Sequence, residues 1–490
     1  MYIRSLKSKP MKRKLFVFLG LLISIQLLAQ LPWSERMANS VMLADPGVYG
    51  ANGDWDYVNG TALSGFQALY QKTGNNAYYT YIESTVKSHM TGFSIATKTL
   101  DNVKEGTAVL FMYENTAVPA DKTSYQNTAN SVRTLLGTTA AGIRRTTEGG
   151  FWHKDNAYAW QMWGDGLYMA QPFYAQYSVL FNGSASADFD DIANQFMLFE
   201  THARDAATGL LYHGWSEQPL DSKSIVWADP VTGLSDNFWG RASGWYIMGL
   251  VDALDYFPPS HPRYQDLIDI LGRMVPALID VQDPTTGCWY DVLNYPDSCS
   301  VSEAQCNYLE SSCTCMITYA MLKAIRLGYV SDTYLPAAKK AYEGILSTFV
   351  TTVGDHITIS NNCSVSGLGG SGNRDGSFDY YMSEPIVTSD VETKPIGPFI
   401  LASLEYEALP TMICLELVTI PITSLVTTDA YRMMLYDVSG TVEIKELANG
   451  IFNAGDSKFL FNKEGLAAGT YTYKLMNGVT ILKTGIVVIP

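Results

Sequence analysis

The sequence predicts an all-α (α/α)6 toroid followed by a small all-β sandwich. Four observations predict it. From about residue 58 to 410, stretches of about 13–20 residues carry apolar side chains at i, i+3, i+4 and i+7, parted by loops bearing Gly, Asn or Pro. These stretches come in pairs, roughly twelve helices in six hairpins, and their loops are irregular and rich in Trp, Gly, His and Asp. Recurring short repeats are absent, which favours a closed ring with a cleft at one end over an open solenoid. After about 410 the chain turns rich in Val, Ile, Thr and Tyr, with turn signals at "VSG", "ANG" and "AAG". That pattern reads as short strands.

Taken in order, residues 1–29 read as a secretory signal. Lys7, Lys9, Lys12, Arg13 and Lys14 precede the apolar run "LFVFLGLLISIQLLA", which ends at the small Ala29. An uncleaved anchor is the alternative, although about 15 apolar residues are short for a span. No later segment is apolar enough to form a stable membrane span. The stretch "GTALSGFQALYQKTGNNAYYTYIESTVKSHM" shows the repeated unit: helix, turn at "TGNN", helix. Further pairs begin near 103 and 122, 165 and 188, 236 and 262, 309 and 333, and 378 and 395. Residues 30–410 are thereby assigned to the toroid and 411–490 to the sandwich.

The formal net charge of −15 excludes a partner such as the nucleic-acid backbone. An anionic ligand would have to be met locally, by a few Arg, Lys and His in a cleft. Aromatic residues reach 12%, high enough to supply sugar-stacking surfaces as well as core. Export permits disulfides, and the spacing Cys299–Cys306 suits a local bridge, although connectivity does not follow from sequence. The C-x-C pair Cys313 and Cys315 lies on an apolar helical stripe and reads as buried small hydrophobes, not as a zinc site.

Chemistry concentrates where loops enter helices. In "QMWGDGLYMAQPF", Asp165 stands between two glycines among Trp163, Tyr168, Met169 and Phe173. Capping the helix is one role for it. The other follows from apolar surroundings, which disfavour a charged carboxylate and suit a group that must donate a proton. Asp101, in "KTLDNVKEGTAVLF", opens another helix, and paired carboxylates serve sugar chemistry. "GGFWHKDNAYAW" adds His153 and Lys154, "GLLYHGWSEQ" adds His213, "DNFWGRASGWY" adds Trp239, Arg241 and Trp245, and "GDWDYVNG" adds Tyr57. Singly, each suits a structural role. Together they suit a carboxylated sugar, with Arg as a fork for the carboxylate and a Trp as the stacking face. No H-E-x-x-H, G-x-S-x-G or P-loop is present.

The blocks "FWHK", "QMWGDGLYMAQPF", "LLYHGWSE", "FWGRASGWY" and "RDGSFDYYMSEPIVTSDVETKPIGPFILASLEYE" occur in order over about 40–410. They resemble glycoside hydrolase family 105, the unsaturated rhamnogalacturonyl hydrolases. Family 88, the unsaturated glucuronyl hydrolases, shares fold and chemistry and is the nearest rival. The resemblance implies hydration of a 4,5-unsaturated uronic acid, with Asp165 as general acid and base and Asp101 as the second acid. It implies Tyr57, His153, His213, Arg241 and Trp245 as substrate contacts, and no metal or organic cofactor. The remaining alternatives are a non-catalytic sugar-binding surface protein and an isomerase of the N-acylglucosamine epimerase type, the latter disfavoured by the lack of an evident His pair. The C-terminal stretch, through "YDVSG", "GLAAGTYTYKL" and "KTGIVVIP", resembles the sorting domains of bacterial type IX secretion cargo. That implies the secretion machinery as a partner and a secreted or cell-surface location, with the periplasm as the alternative.

Overall fold

The computed structural model describes residues 31–490 except 48, 51–53, 297, 302–304, 371, 373, 390–393, 414–416, 422–428, 453–457, 463–465, 467–468, 479 and 490. The signal segment expected at 1–29 and Cys414 lie outside the described residues. The helices are α1 (Trp33–Ala44), α2 (Tyr57–Thr73), α3 (Asn76–Met90), α4 (Asp101–Lys104), α5 (Gly106–Asn115), α6 (Pro119–Thr134), α7 (Gly164–Phe181), α8 (Ser186–Ala203), α9 (Gly240–Ala253), α10 (Tyr264–Asp280), α11 (Ser311–Arg326), α12 (Leu335–Thr348), α13 (Phe378–Ser383) and α14 (Ile396–Ile413).

Contacts between helices close a ring. α2 packs on α5, α5 on α7, α7 on α9, α9 on α11, α11 on α14, and α14 returns to α2. An outer helix backs each: α3 on α2, α6 on α5, α8 on α7, α10 on α9, α12 on α11 and α1 on α14. Burial follows the layers. α7 is buried continuously from Gly164 to Ser178, whereas α6 buries only Tyr125, Ala129 and Val132. An inner helix is covered on all sides; an outer one hides a single stripe. Local signals set the ends. The Asp56 carboxylate accepts the Val58 N–H at 2.7 Å to start α2, and Gly74 at φ 66° ends it. Glu310 accepts the Cys313 N–H at 2.6 Å to start α11.

Two features correct the expected layout. The sixth hairpin does not pair 378 with 395. α13 is only six residues long, and the outer partner of α14 is α1, at the other end of the chain. The toroid also carries strands. β1 (Gln161–Trp163) pairs antiparallel with β2 (Gly214–Ser216), and β3 (Val350–Val353), β4 (His356–Cys363) and β5 (Ile386–Ser389) form a sheet between α12 and α14.

The C-terminal region is all-β. β6 (Leu417–Pro421) pairs with β9 (Lys458–Asn462). β7 (Asp429–Tyr436), β8 (Glu443–Phe452), β10 (Gly469–Asn477) and β11 (Thr480–Ile489) form an antiparallel sheet in the order β11-β10-β7-β8. Its core holds Tyr431, Met433, Leu435, Tyr473, Leu475 and Val487. Cys299 and Cys306 are bridged, and Cys313 and Cys315 are free thiols buried in the toroid core. Among the described residues, no helix is long and apolar enough to cross a membrane.

Candidate active site

The N-terminal ends of helices hold several of the candidate side chains. Tyr57 is the first residue of α2, Asp101 the first of α4, Asp165 the second of α7 and Arg241 the second of α9. Lys394 lies two residues before α14. Peptide dipoles favour negative charge at such ends.

Asp165 is not a cap. The N-cap of α7 is Trp163, whose side chain makes no capping bond, and the free Gly164 N–H donates to the His213 carbonyl at 3.1 Å. Backbone from the next loop thus does the work a capping carboxylate would do. The Asp165 side chain is free for other use, and its Oδ2 is buried without a hydrogen-bond partner. The flanking glycines explain the odd motif. A Cβ on Gly164 would stand 2.9 Å from the Ala242 carbonyl oxygen, and one on Gly166 would stand 2.7 Å from Leu100 Cδ1 and 3.4 Å from His153 Nδ1. Only glycine lets α9 and the Asp101 loop close around the acid.

Each aspartate faces an imidazole. His213 Nε2 is 3.5 Å from Asp165 Oδ2, and His153 Nε2 is 3.5 Å from Asp101 Oδ1. Trp163 stands between the two rings, stacked on His153 at 4.4 Å and edge-on to His213 at 5.5 Å. The Trp163 N–H donates to Gln161 Oε1 at 3.0 Å, which fixes the indole. Burial holds His213 below the usual imidazole range, against the opposing pull of Asp165. Burial also holds the Tyr381 phenol well above its usual value, so its O–H persists. Tyr381 Oη and His213 Nδ1 are 2.7 Å apart. A neutral ring whose Nδ1 accepts the Tyr381 O–H carries its proton on Nε2, facing Asp165.

Other expected residues are placed differently. Arg241 is buried, and its guanidinium already donates to the Cys363 carbonyl, to the Ser364 carbonyl at 3.5 Å and to Glu310 at 3.5 Å. It is not an open fork for a carboxylate. Trp239 and Trp245 are each 1% exposed and offer no face to a sugar. Trp239 donates to Asp291 Oδ1 at 3.0 Å, and Trp245 stacks on Tyr168 at 5.1 Å and backs the Tyr57 ring edge-on. Tyr168 is itself fully buried. Lys154 lines a separate cavity with Lys98 and Arg144.

Three residues outside the sequence-based set belong here, Tyr381, Arg374 and Lys394, beside Trp163 from the motif around Asp165. Arg374 Nη1 would stand 3.0 Å, and the Trp163 ring 3.3 Å, from a Cβ on Gly367, so that glycine admits the guanidinium beside the indole. Burial lowers Lys394 to about 8, and neighbouring Arg241 adds to the shift. No group of three His, Cys, Asp or Glu side chains able to hold a metal ion is present among the described residues.

Two carboxylates at one end of a helical ring, each facing an imidazole and walled by an indole, are an arrangement a toroidal glycoside hydrolase can use. Residues 33–409 match the family model described as Glycosyl Hydrolase Family 88, and the chain belongs to that family. It is similar to a solved family 105 glycoside hydrolase from C. acetobutylicum ATCC 824, at 37% identity and TM-score 0.69, covering 77% of this chain and 100% of that one. Protein Atu3128 of Agrobacterium fabrum is 33% identical over 44% of this chain and 89% of its own length. The unsaturated rhamnogalacturonyl hydrolase YesR of Bacillus subtilis is 26% identical over 56% of this chain and 72% of its own.

Proposed function

We propose that this glycosidase removes the 4,5-unsaturated galacturonyl residue from the non-reducing end of rhamnogalacturonan oligosaccharides of pectin. The observation that carries the reading is Asp165, a buried carboxyl at the mouth of α7 with Oδ2 unpartnered and a neutral imidazole 3.5 Å away. The similarity to YesR and to the family 105 structure supports the substrate class.

The double bond of such a sugar is part of a vinyl ether. The Asp165 carboxyl gives its proton to carbon 4, and the positive charge that develops is shared between carbon 5 and the ring oxygen. The resulting carboxylate takes a proton from water as the water oxygen bonds to carbon 5. The hemiketal so formed opens by breaking the bond from carbon 5 to the ring oxygen, which gives a ketone at carbon 5 and leaves carbon 1 as a hemiacetal. The hemiacetal collapses to an aldehyde, and its hydroxyl proton goes to the glycosidic oxygen as the next sugar leaves as an alcohol. His213 Nε2 stands 3.5 Å from Asp165 Oδ2, close enough to steady the acid electrostatically, and Trp163 backs the two imidazoles. Lys394 and Arg374 are the cations left to meet the uronate carboxylate, since Arg241 is occupied. The C-terminal β region serves as a type IX sorting domain in this reading, and the enzyme works outside the cell or at its surface.

A side-by-side assay tests this. Unsaturated rhamnogalacturonan disaccharide should lose its double-bond absorbance, and the loss should vanish in Asp165→Asn. Consumption of only an unsaturated glycosaminoglycan disaccharide would assign the glucuronyl specificity instead. Sugar binding with no turnover of either would overturn the enzymatic reading of this site.

A further inference from the structure

Next to the catalytic end lies a second cavity of about 820 Å³, lined by Lys98, Arg144, Arg145, Lys154, Asp155 and Asn156 together with the turn at 137–142. The volume lies in the range of small-ligand sites. A short antiparallel ribbon separates the two. Thr99 bridges Lys154, the Leu100 N–H donates to the His153 carbonyl at 3.0 Å, and the Asp155 N–H donates to the Lys98 carbonyl at 2.9 Å. Side chains alternate across such a ribbon. His153 turns toward Asp101 and Trp163, and Lys154, next in the chain, lines the cavity.

The wall is cationic in a chain whose formal net charge is −15. Two of its cations are already matched. Arg145 makes two 2.7 Å bonds to Asp191 while lying over Phe151, and Arg144 shares Asp155 at 3.4 Å and lies over Trp152. Lys98 donates to the Ala140 carbonyl, and neither it nor Lys154 makes an ion pair to a carboxylate among the described residues. Two ammonium groups are therefore left uncompensated over a preformed hollow. Thr97, Thr138, Thr139 and Asn156 add hydroxyl and amide groups to the same wall. Ammonium groups suit carboxylates, and hydroxyls and amides suit sugar hydroxyls.

We propose that this cavity is an accessory site for a uronate-bearing oligosaccharide, separate from the cleft that holds Asp165. The choice of uronate as the anion rests on the pectin reading above; the cavity and its charge do not. Such a site would hold a distal part of an acidic glycan, or a second chain, while the unsaturated end is processed.

The test is calorimetric titration of the full chain with saturated trigalacturonate, which has no double bond and is not turned over. Wild type and Asp165→Asn should bind it alike, more weakly as salt rises. Lys98→Ala should weaken binding at least tenfold and Lys98→Glu more, with thermal stability and turnover of the unsaturated disaccharide unchanged. Unchanged binding in Lys98→Glu would overturn the proposal. So would equal binding of a neutral oligosaccharide of the same length, or saturable binding of inorganic phosphate with no binding of trigalacturonate. If no unsaturated disaccharide is turned over while trigalacturonate still depends on Lys98, the substrate reading fails and the accessory site stands.

Discussion

The Asp165–His213 and Asp101–His153 pairs share a plan and differ in detail. Both place Nε2 3.5 Å from a carboxylate oxygen, and both rings lie against Trp163. The Asp165 side chain is 12% exposed and that of Asp101 is 30%. Asp101 Oδ2 accepts the Thr99 hydroxyl at 3.1 Å, whereas Asp165 Oδ2 has no partner. His213 is tied to Tyr381 through Nδ1, whereas His153 Nδ1 is unpartnered. One pair is enclosed and has its imidazole tautomer set from behind. The other is wetter, and its acid is already engaged. A proton donor needs the first setting; a group that positions substrate or water is served by the second.

The comparison can be broken in graded steps. Asp165→Asn should lower kcat on the order of 10³-fold with the thermal midpoint kept, the size expected when a general acid is removed. Asp101→Asn should cost less, about 10²-fold, and act partly through KM. Equal losses in the two variants would erase the asymmetry. Tyr381→Phe should lower kcat about 10-fold, the worth of one buried hydrogen bond. Without the phenol, His213 protonates more readily, so the acid limb of the pH–rate profile should move to higher pH. Thr99→Val, which frees Asp101 Oδ2, should change kcat only a few-fold.

Asp291, behind Trp239, gives a stability test of the same region. Burial raises its carboxyl to about 7, with Glu310 adding and Arg241 opposing. The folded value lies above the unfolded one of 3.8, so its stabilising contribution is full below that pH and is lost as pH rises toward about 7. Asp291→Asn keeps an acceptor for the Trp239 N–H and removes the titration. Its thermal midpoint should gain on wild type between those pH values and then hold a constant lead.

Much of this was legible in the sequence because the ring is built from local signals. Helix periodicity located α2, α3 and the inner helices α5, α7, α9 and α11, and loop-to-helix junctions located Asp101, Asp165, His153 and His213. What escaped depends on distant chain. α1 precedes the first recognised hairpin, yet it backs α14 as its outer partner. Tyr381 is 168 residues from His213. Arg241 looked like a free fork because nothing nearby shows that Glu310 and the carbonyl of Cys363 would reach it first. The capping role stayed open for Asp165 in the sequence because the competing partner for the Gly164 N–H, the His213 carbonyl, comes from another hairpin. The two glycines beside Asp165 were the local clue to that crowding.

The most direct measurement is the reaction run in D2O and read by NMR at early times. If Asp165 protonates carbon 4, the released uronate carries one deuterium at carbon 4, placed on a single face, and Asp165→Asn yields almost none of this product. Release of the neighbouring sugar with no deuterium at carbon 4 would mean that the proton goes to the glycosidic oxygen, and would contradict the role assigned to Asp165.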